Sequence, residues 1–281
     1  MLGSVRHTAD RGRLTFTRVI DLHCHVLPGI DDGPETIAGS VALARASAAA
    51  GTRTLVATPH VSRRYPNDAD TIARLVEELR TRLAAEEVAL DVRSGAEIAM
   101  ARLIDIEPTQ LTQLGLGGGP WLLIEPPFAA TVNGLEILLR NLQHQGHRIL
   151  LAHPERCSAF HRDPAMLGAI IGTGVLTSIT AGSLVGRFGE PVRRFALELA
   201  RDGMIHNVAS DAHDHLNRAP GMASELQQAG LGPLTEWLTQ EVPAAILGGE
   251  DVPPRPPVAL PGIGKPPRRW WQGVSRLKRA S

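Results

Sequence analysis

Residues 20–33 read IDLHCHVLPGIDDG. His23 and His25 stand two apart, and on a strand that spacing puts both imidazoles on one face. Asp31 and Asp32 follow in a turn-like segment. Polar residues then recur at the ends of apolar runs. TPH supplies His60, GAE supplies Glu97, and IEPP supplies Glu125. AHPER supplies His153 and Arg156, and SDAH supplies Asp211 and His213, again two apart. Imidazole and carboxylate ligands without a thiolate suit manganese, iron or zinc. The number of such side chains is too large for one ion.

Such a constellation needs elements that bring it together. Seven β-like runs can be read: 19–23, 53–58, 90–97, 121–125, 148–153, 175–180 and 205–211. Several are continuously apolar, as strands buried on both faces are. Helix-like segments lie between them at 34–50, 70–87, 134–145, 164–172 and 190–202. Alternating strand and helix implies a parallel sheet. The length fits a (β/α) barrel of about 250 residues, with a doubly wound open sheet as the competing architecture. Six of the seven runs end in an imidazole, a carboxylate or both. In parallel α/β folds the C-terminal strand ends converge on the active site. Cys24, between the two histidines, is turned to the opposite face and reads as core. His7, His144, His147, His161 and His206 lack this placement and read as surface or core residues.

Composition narrows the function. Of 281 residues, 43% are hydrophobic, which is enough for a sizeable core. No apolar run approaches the ~18 residues of a membrane span, and residues 1–18 contain no apolar signal-like segment. Two cysteines make no disulfide framework, so a reducing, cytoplasmic compartment is expected. The zero net charge conceals an asymmetry. Residues 19–250 carry 18 Lys and Arg against 27 Asp and Glu, whereas residues 1–18 carry +3 and residues 251–281 carry +6. An acidic body argues against nucleic acid as a partner. Both lysines, Lys265 and Lys278, lie in the C-terminal segment. A Schiff base, a P-loop and a carbamylated metal ligand are therefore largely excluded. A cysteine-based phosphatase loop needs Cys, five residues, then Arg. After Cys157 that position is Asp163, and Cys24 has no arginine there either.

Three segments are expected: an N-terminal arm at 1–18, a catalytic body at 19–250, and a proline-rich basic tail at 251–281. The tail holds seven prolines, which makes a packed core unlikely there. Its end, RRWWQGVSRLKR, could form a short amphipathic helix with Trp270, Trp271, Val274 and Leu277 on one side. Docking of that helix to a membrane or a partner is the functional reading, and a solvated tail the bland one.

DLHCH, TPH, GAE, AHPER and SDAH together resemble the motif set of the PHP (polymerase and histidinol phosphatase) superfamily. GIDDG, LLIEPPF, LAHPER, SITAGSLVGRFG and VASDAH are similar to one branch, the bacterial manganese-dependent protein-tyrosine phosphatases of capsule and exopolysaccharide operons. The resemblance covers about residues 19–218. It implies a distorted seven-stranded TIM-like barrel, (β/α)7, with three metal ions. It implies His23, His25, Glu97 and Asp211 on one ion, and Asp32, His60 and His213 on a second. Glu125 and His153 would hold a third, with Glu97 bridging. Asp32 rather than Asp31 follows from the alignment of DDG.

The implied chemistry is hydrolysis of phosphotyrosine. Neighbouring metal ions clamp phosphoryl oxygens and activate water. Arg156 and Arg218 would bind the phosphate, as forked guanidinium donors do. Tyr65 is the chain's single tyrosine, so the substrate must come mainly from a partner. The branch implies the tyrosine-rich tail of a membrane-bound bacterial tyrosine kinase, met at the inner face of the membrane. The competing readings are a histidinol-phosphate phosphatase or other small-molecule phosphomonoesterase, a nucleic-acid phosphoesterase, and a non-catalytic kinase-binding regulator. Loss of several ligand positions would mark the last, and none is lost.

Overall fold

The computed structural model describes residues 19–260. The expected N-terminal arm and the amphipathic end of the tail lie outside these residues. The strands are β1 (Val19–Cys24), β2 (Thr52–Ala57), β3 (His60–Val61), β4 (Asp91–Ser94), β5 (Glu97–Ala99), β6 (Trp121–Glu125), β7 (Arg148–Ala152), β8 (Leu176–Thr180) and β9 (Asn207–Ala209). They form two sheets, ordered β1-β2-β4 and β3-β5-β6-β7-β8-β9. Every strand pair is parallel. A parallel bridge from Cys24 to Ala212 joins the end of β1 to the chain just past β9. The fold is therefore α/β with parallel sheets.

The buried strands are the continuously apolar ones. Leu22, Leu55, Val56, Leu122, Leu123, Ile124, Ile149, Leu150 and Leu151 have no exposed surface. Cys24 is buried with them, on the face expected of it. Helices lie close to their expected spans. Ile37–Ala49 is capped by Thr36, whose side chain accepts from the Gly39 amide, and Ala69–Ala85 is capped by Asp68, which accepts from the Thr71 amide. The second of these buries Ile72, Leu75, Val76, Leu79 and Leu83, one stripe at helical spacing. Glu190–Asp202 stops at Gly203, whose φ of 76° places it in the left-handed region.

Two differences from the sequence reading matter for the site. The run expected as one strand at 90–97 is two strands in two sheets. β4 pairs with β2, and β5 pairs with β3 and β6. Between them, Gly95 passes so close to its neighbours that an added Cβ would lie 2.7 Å from Val56 Cγ1 and 3.1 Å from Leu116 Cδ2. The glycine of GAE lets the chain cross from one sheet to the other. β3 is the counterpart beyond β2, and it was not expected. The second difference is at 251–260. This stretch has no helix or strand, but it is tied to the body. Trp237 Nε1 donates to the Pro253 carbonyl at 3.1 Å, and Val252 and Leu260 pack against the core.

Gly95→Val should overpack this crossing and destabilise the fold by about 1–3 kcal/mol. A lowered Tm in thermal denaturation is the expected result, and an unchanged Tm would show that the crossing has slack.

Candidate metal centre

The strand ends bring the nine expected ligand positions into one cluster. Glu97, at the start of β5, is its centre. Glu97 Oε1 lies 2.6 Å from His153 Nε2. Its Oε2 lies 3.0 Å from His60 Nδ1, 3.3 Å from His25 Nε2 and 3.4 Å from His23 Nε2. Asp32 Oδ1 sits 3.2 Å from His213 Nε2 and 3.4 Å from His60 Nε2. Asp211 Oδ1 is 3.6 Å from both His23 Nε2 and His25 Nε2. Glu125 is more peripheral, with Oε1 3.9 Å from His153 Nε2.

Three sets of donor atoms each fall within 4.8 Å of one another: His25, Asp32, His60 and His213; His23, His25 and Glu97; and His60, Glu97 and Glu125. These sets fit divalent metal ions on the chemistry of the donors, which are nitrogen and oxygen throughout. One buried nitrogen fits as well: His213 Nε2 makes no hydrogen bond among the described residues and faces Asp32 Oδ1. The sets overlap the division implied by the resemblance without reproducing it. His25 falls in two sets and His60 stands with Glu97 and Glu125, whereas Asp211 and His153 fall in none.

The electrostatics follow from burial and neighbours. Burial pushes the Glu125 carboxyl up, the Glu97 charge adds to this, and its pKa reaches about 7. Burial opposes ionisation of Asp211 too, but His23, His153 and Arg218 overcome it and hold the carboxyl well below the usual range. Burial disfavours the His25 imidazolium, yet the hydrogen bonds and charges of Asp31 and Glu97 raise its pKa to about 10.

Arg156 and Arg218 are both at the site, and both reach the same atom. Arg156 Nη1 donates to Asp211 Oδ2 at 2.9 Å, and Arg218 Nη2 lies 3.0 Å from that oxygen. The Arg156 guanidinium lies over the rings of Phe128 and Phe188, 4.8 Å and 4.4 Å from their centres. The aspartate doublet separates into two roles. Asp32 faces the histidines, whereas Asp31 Oδ2 bonds His25 Nδ1 at 2.7 Å and accepts from the His60 amide at 3.1 Å.

The pattern of a whole family can be laid over this geometry. The one described as capsular polysaccharide synthesis, CpsB/CapC, matches residues 19–229. The chain belongs to the CpsB/CapC family. Among its relatives, the tyrosine-protein phosphatase YwqE of Bacillus subtilis is 36% identical over 197 residues, 70% of this chain and 78% of that protein. The tyrosine-protein phosphatase CpsB of Streptococcus pneumoniae is 31% identical over 216 residues, 73% and 86% of the two chains. A chain from the crystal structures of YwqE from Bacillus subtilis and CpsB from Streptococcus pneumoniae, described as metal-dependent tyrosine phosphatases, superposes with a TM-score of 0.76. It is 33% identical and covers 85% of this chain and 99% of its own. An L-hydantoinase from Arthrobacter aurescens superposes at 0.53 with 12% identity, over 82% of this chain and 70% of that one, and shares the fold alone.

Beyond the expected ligand positions, this CpsB/CapC chain carries three buried carboxylates to which the sequence assigned no role. Asp31 orients His25. Asp21 accepts from the His23 and Ser210 amides at 3.3 and 3.1 Å and from Ser210 Oγ at 2.5 Å, which pins the loop bearing Asp211 and His213. Glu155 accepts from the Thr180 amide at 3.0 Å and Ser183 Oγ at 2.7 Å, which pins the loop bearing His153 and Arg156. Their one sequence signal is position, since each is an acidic residue within two places of an expected site residue.

Asp31→Ala should weaken manganese binding about 10–100-fold, the usual effect of removing the partner that orients a histidine ligand. Calorimetric titration of manganese into the purified variant checks this, and unchanged affinity would show that His25 holds its orientation without Asp31.

Proposed function

We propose that this chain is a metal-dependent phosphatase that hydrolyses phosphotyrosine on a partner protein in capsule or exopolysaccharide synthesis. The observation that carries the reading is the pair of arginines beside the buried histidine–carboxylate cluster. Arg156 and Arg218 converge on Asp211 Oδ2 and keep further N–H donors for an anion. The tyrosine-phosphatase relatives, aligned over most of their length, supply the substrate class.

The metal we propose is manganese, with iron or zinc as alternatives, in a three-ion centre. His23, His25, Asp32, His60, Glu97, Glu125, His153, Asp211 and His213 would hold it. When bound, such a centre neutralises phosphoryl charge and lowers the pKa of a nucleophilic water. The chain's own part is electrostatic and geometric. The guanidinium of Arg156 would hold phosphoryl oxygens and offset the charge that develops on them. Arg218, which shares Asp211 Oδ2 with it, would do the same. The two parallel sheets are read as one distorted seven-stranded barrel, closed beside the Cys24–Ala212 bridge. Residues 19–250 form the catalytic body, flanked by an arm at 1–18 and a tail at 251–281. The proposed substrate is the phosphotyrosine tail of a membrane-bound bacterial tyrosine kinase, met in the cytoplasm at the membrane face, with the basic tail as a membrane or kinase contact. Among the described residues no helix is long and apolar enough to cross a membrane.

The test is phosphate release with manganese from a phosphotyrosine peptide, a phosphoserine peptide and histidinol phosphate. Preference for the phosphotyrosine peptide is expected, and preference for histidinol phosphate would move the protein to small-molecule chemistry. Arg156→Ala should lower kcat by about 10²–10³-fold, the scale for a charge-stabilising donor. Full activity in that variant with metal bound would remove Arg156 from the mechanism.

A further inference from the structure

A cavity of about 220 Å3 opens beside the metal cluster, lined among others by Thr180, Gly182, Phe188, Asp211, Asn217 and Arg218. Its position is defined by chemistry already described. Asp211 Oδ2, on its wall, takes hydrogen bonds or ion pairs from Arg156, Arg218 and Thr180 Oγ1. A phosphoryl group held by the two arginines would therefore stand at the mouth of this cavity.

What the cavity can hold follows from its walls. An apolar cavity of about 150 Å3 is enough for a benzene ring, so there is room here for one. Phe188 offers an aromatic surface, and aromatic pairs are favourable both offset-stacked and edge to face. Gly182 keeps one side flat. A Cβ there would lie 2.8 Å from Arg187 Cδ, so the aliphatic stem of Arg187 is laid across the glycine. The carboxylate of Asp211 is already satisfied by three donors, and the other charges on the wall are guanidiniums, which accept an aromatic face. The combination is an anion position at the mouth and an aromatic position inside.

We propose that this cavity seats the aromatic ring of the phosphoester and that Phe188 is the residue selecting aryl over alkyl phosphates. The proposal rests on the phosphatase reading above and adds the subsite that gives it a substrate class. Phe188 also stacks on Arg156, so loss of its ring could act through that arginine alone. Phe128 provides the control. It also packs on Arg156, and it stacks on His153 with ring centres 5.5 Å apart, but it does not line the cavity.

The experiment uses the full chain with manganese and compares kcat/KM for phenyl phosphate and β-glycerophosphate. In Phe188→Ala the aryl-to-alkyl ratio should fall about tenfold relative to the unsubstituted protein, the scale of a lost aromatic contact. In Phe128→Ala both substrates should lose activity by the same factor. Asn217→Trp, at an exposed loop position, fills the cavity without touching the core, and it should also lower the ratio. A binding readout stands beside the kinetics: calorimetry with phenylphosphonate and methylphosphonate, in which Phe188→Ala should lose the preference for the phenyl compound. An unchanged ratio in both Phe188→Ala and Asn217→Trp, or a ratio that falls in Phe128→Ala instead, would overturn the proposal. Should Phe188→Ala fail to fold, Asn217→Trp decides. If the unsubstituted protein hydrolyses neither ester, the phosphatase reading fails, and the phosphonate preference still tests the cavity.

Discussion

A carboxylate taken out of water stays ionised only if cations or donors surround it. Glu97 is 1% exposed and lies within 3.4 Å of nitrogens from His23, His25, His60 and His153. Burial pushes its pKa up, but the charges of His23 and His153 more than offset this and hold it well below its ordinary value. The rest of the site is arranged around that one side chain. The histidines arrive from the end of β1, from β3 and from the loop after β7, so elements of both sheets meet at Glu97. This meeting depends on the crossing at Gly95. A strand running straight through 90–97 would keep its end in the first sheet, away from β6 and β7.

Around this centre lies an outer layer of buried carboxylates whose partners are loops. Asp21 holds the Ser210 loop, Asp31 holds His25 and the His60 amide, and Glu155 holds Thr180 and Ser183. Their work can be read in the backbone. His153 has φ of 29° and Asp211 φ of 50°, values that cost free energy for residues with a side chain. Both conformations are tied by main-chain hydrogen bonds across the fold, His153 N to Ser178 O at 2.8 Å and Asp211 N to His23 O at 2.9 Å. The strained residues are the ones that must aim at the cluster, and the outer carboxylates fix the loops that carry them.

The sequence was legible where chemistry and periodicity coincide. HxH at the end of an apolar run, and the repetition of polar strand ends, brought every expected ligand position into one place in the fold. Helices were legible from apolar spacing and stop signals, as at Gly203. What was not legible depends on distance in space. That β4 and β5 belong to different sheets rests on Val56 and Leu116 crowding Gly95, and neither neighbour is close in sequence. The resemblance picked Asp32 from the doublet, but the part of Asp31, bonded to His25 and the His60 amide, rests on contacts that adjacent residues of one type cannot show. The arginines were expected at the site, and the structure places both there, but their shared contact with one aspartate oxygen had no signal in the sequence. The tail reads as loose from its prolines, yet residues 251–260 lie against Trp237 and the core.

Asp211 joins the two halves of the chemistry. One oxygen faces His23 and His25, and the other is shared by Arg156, Arg218 and Thr180. A buried carboxylate in this position does two things at once. It contributes negative charge to the cluster, and it orients the guanidiniums that would receive an anion. The rings of Phe128 and Phe188 pack against the Arg156 guanidinium, whose Nη1 already points to Asp211. An anion that binds there therefore does so next to the cluster. Neither half can move without moving the aspartate between them, which is why a single loop, SDAH, must be held by both Asp21 and the strained backbone of Asp211.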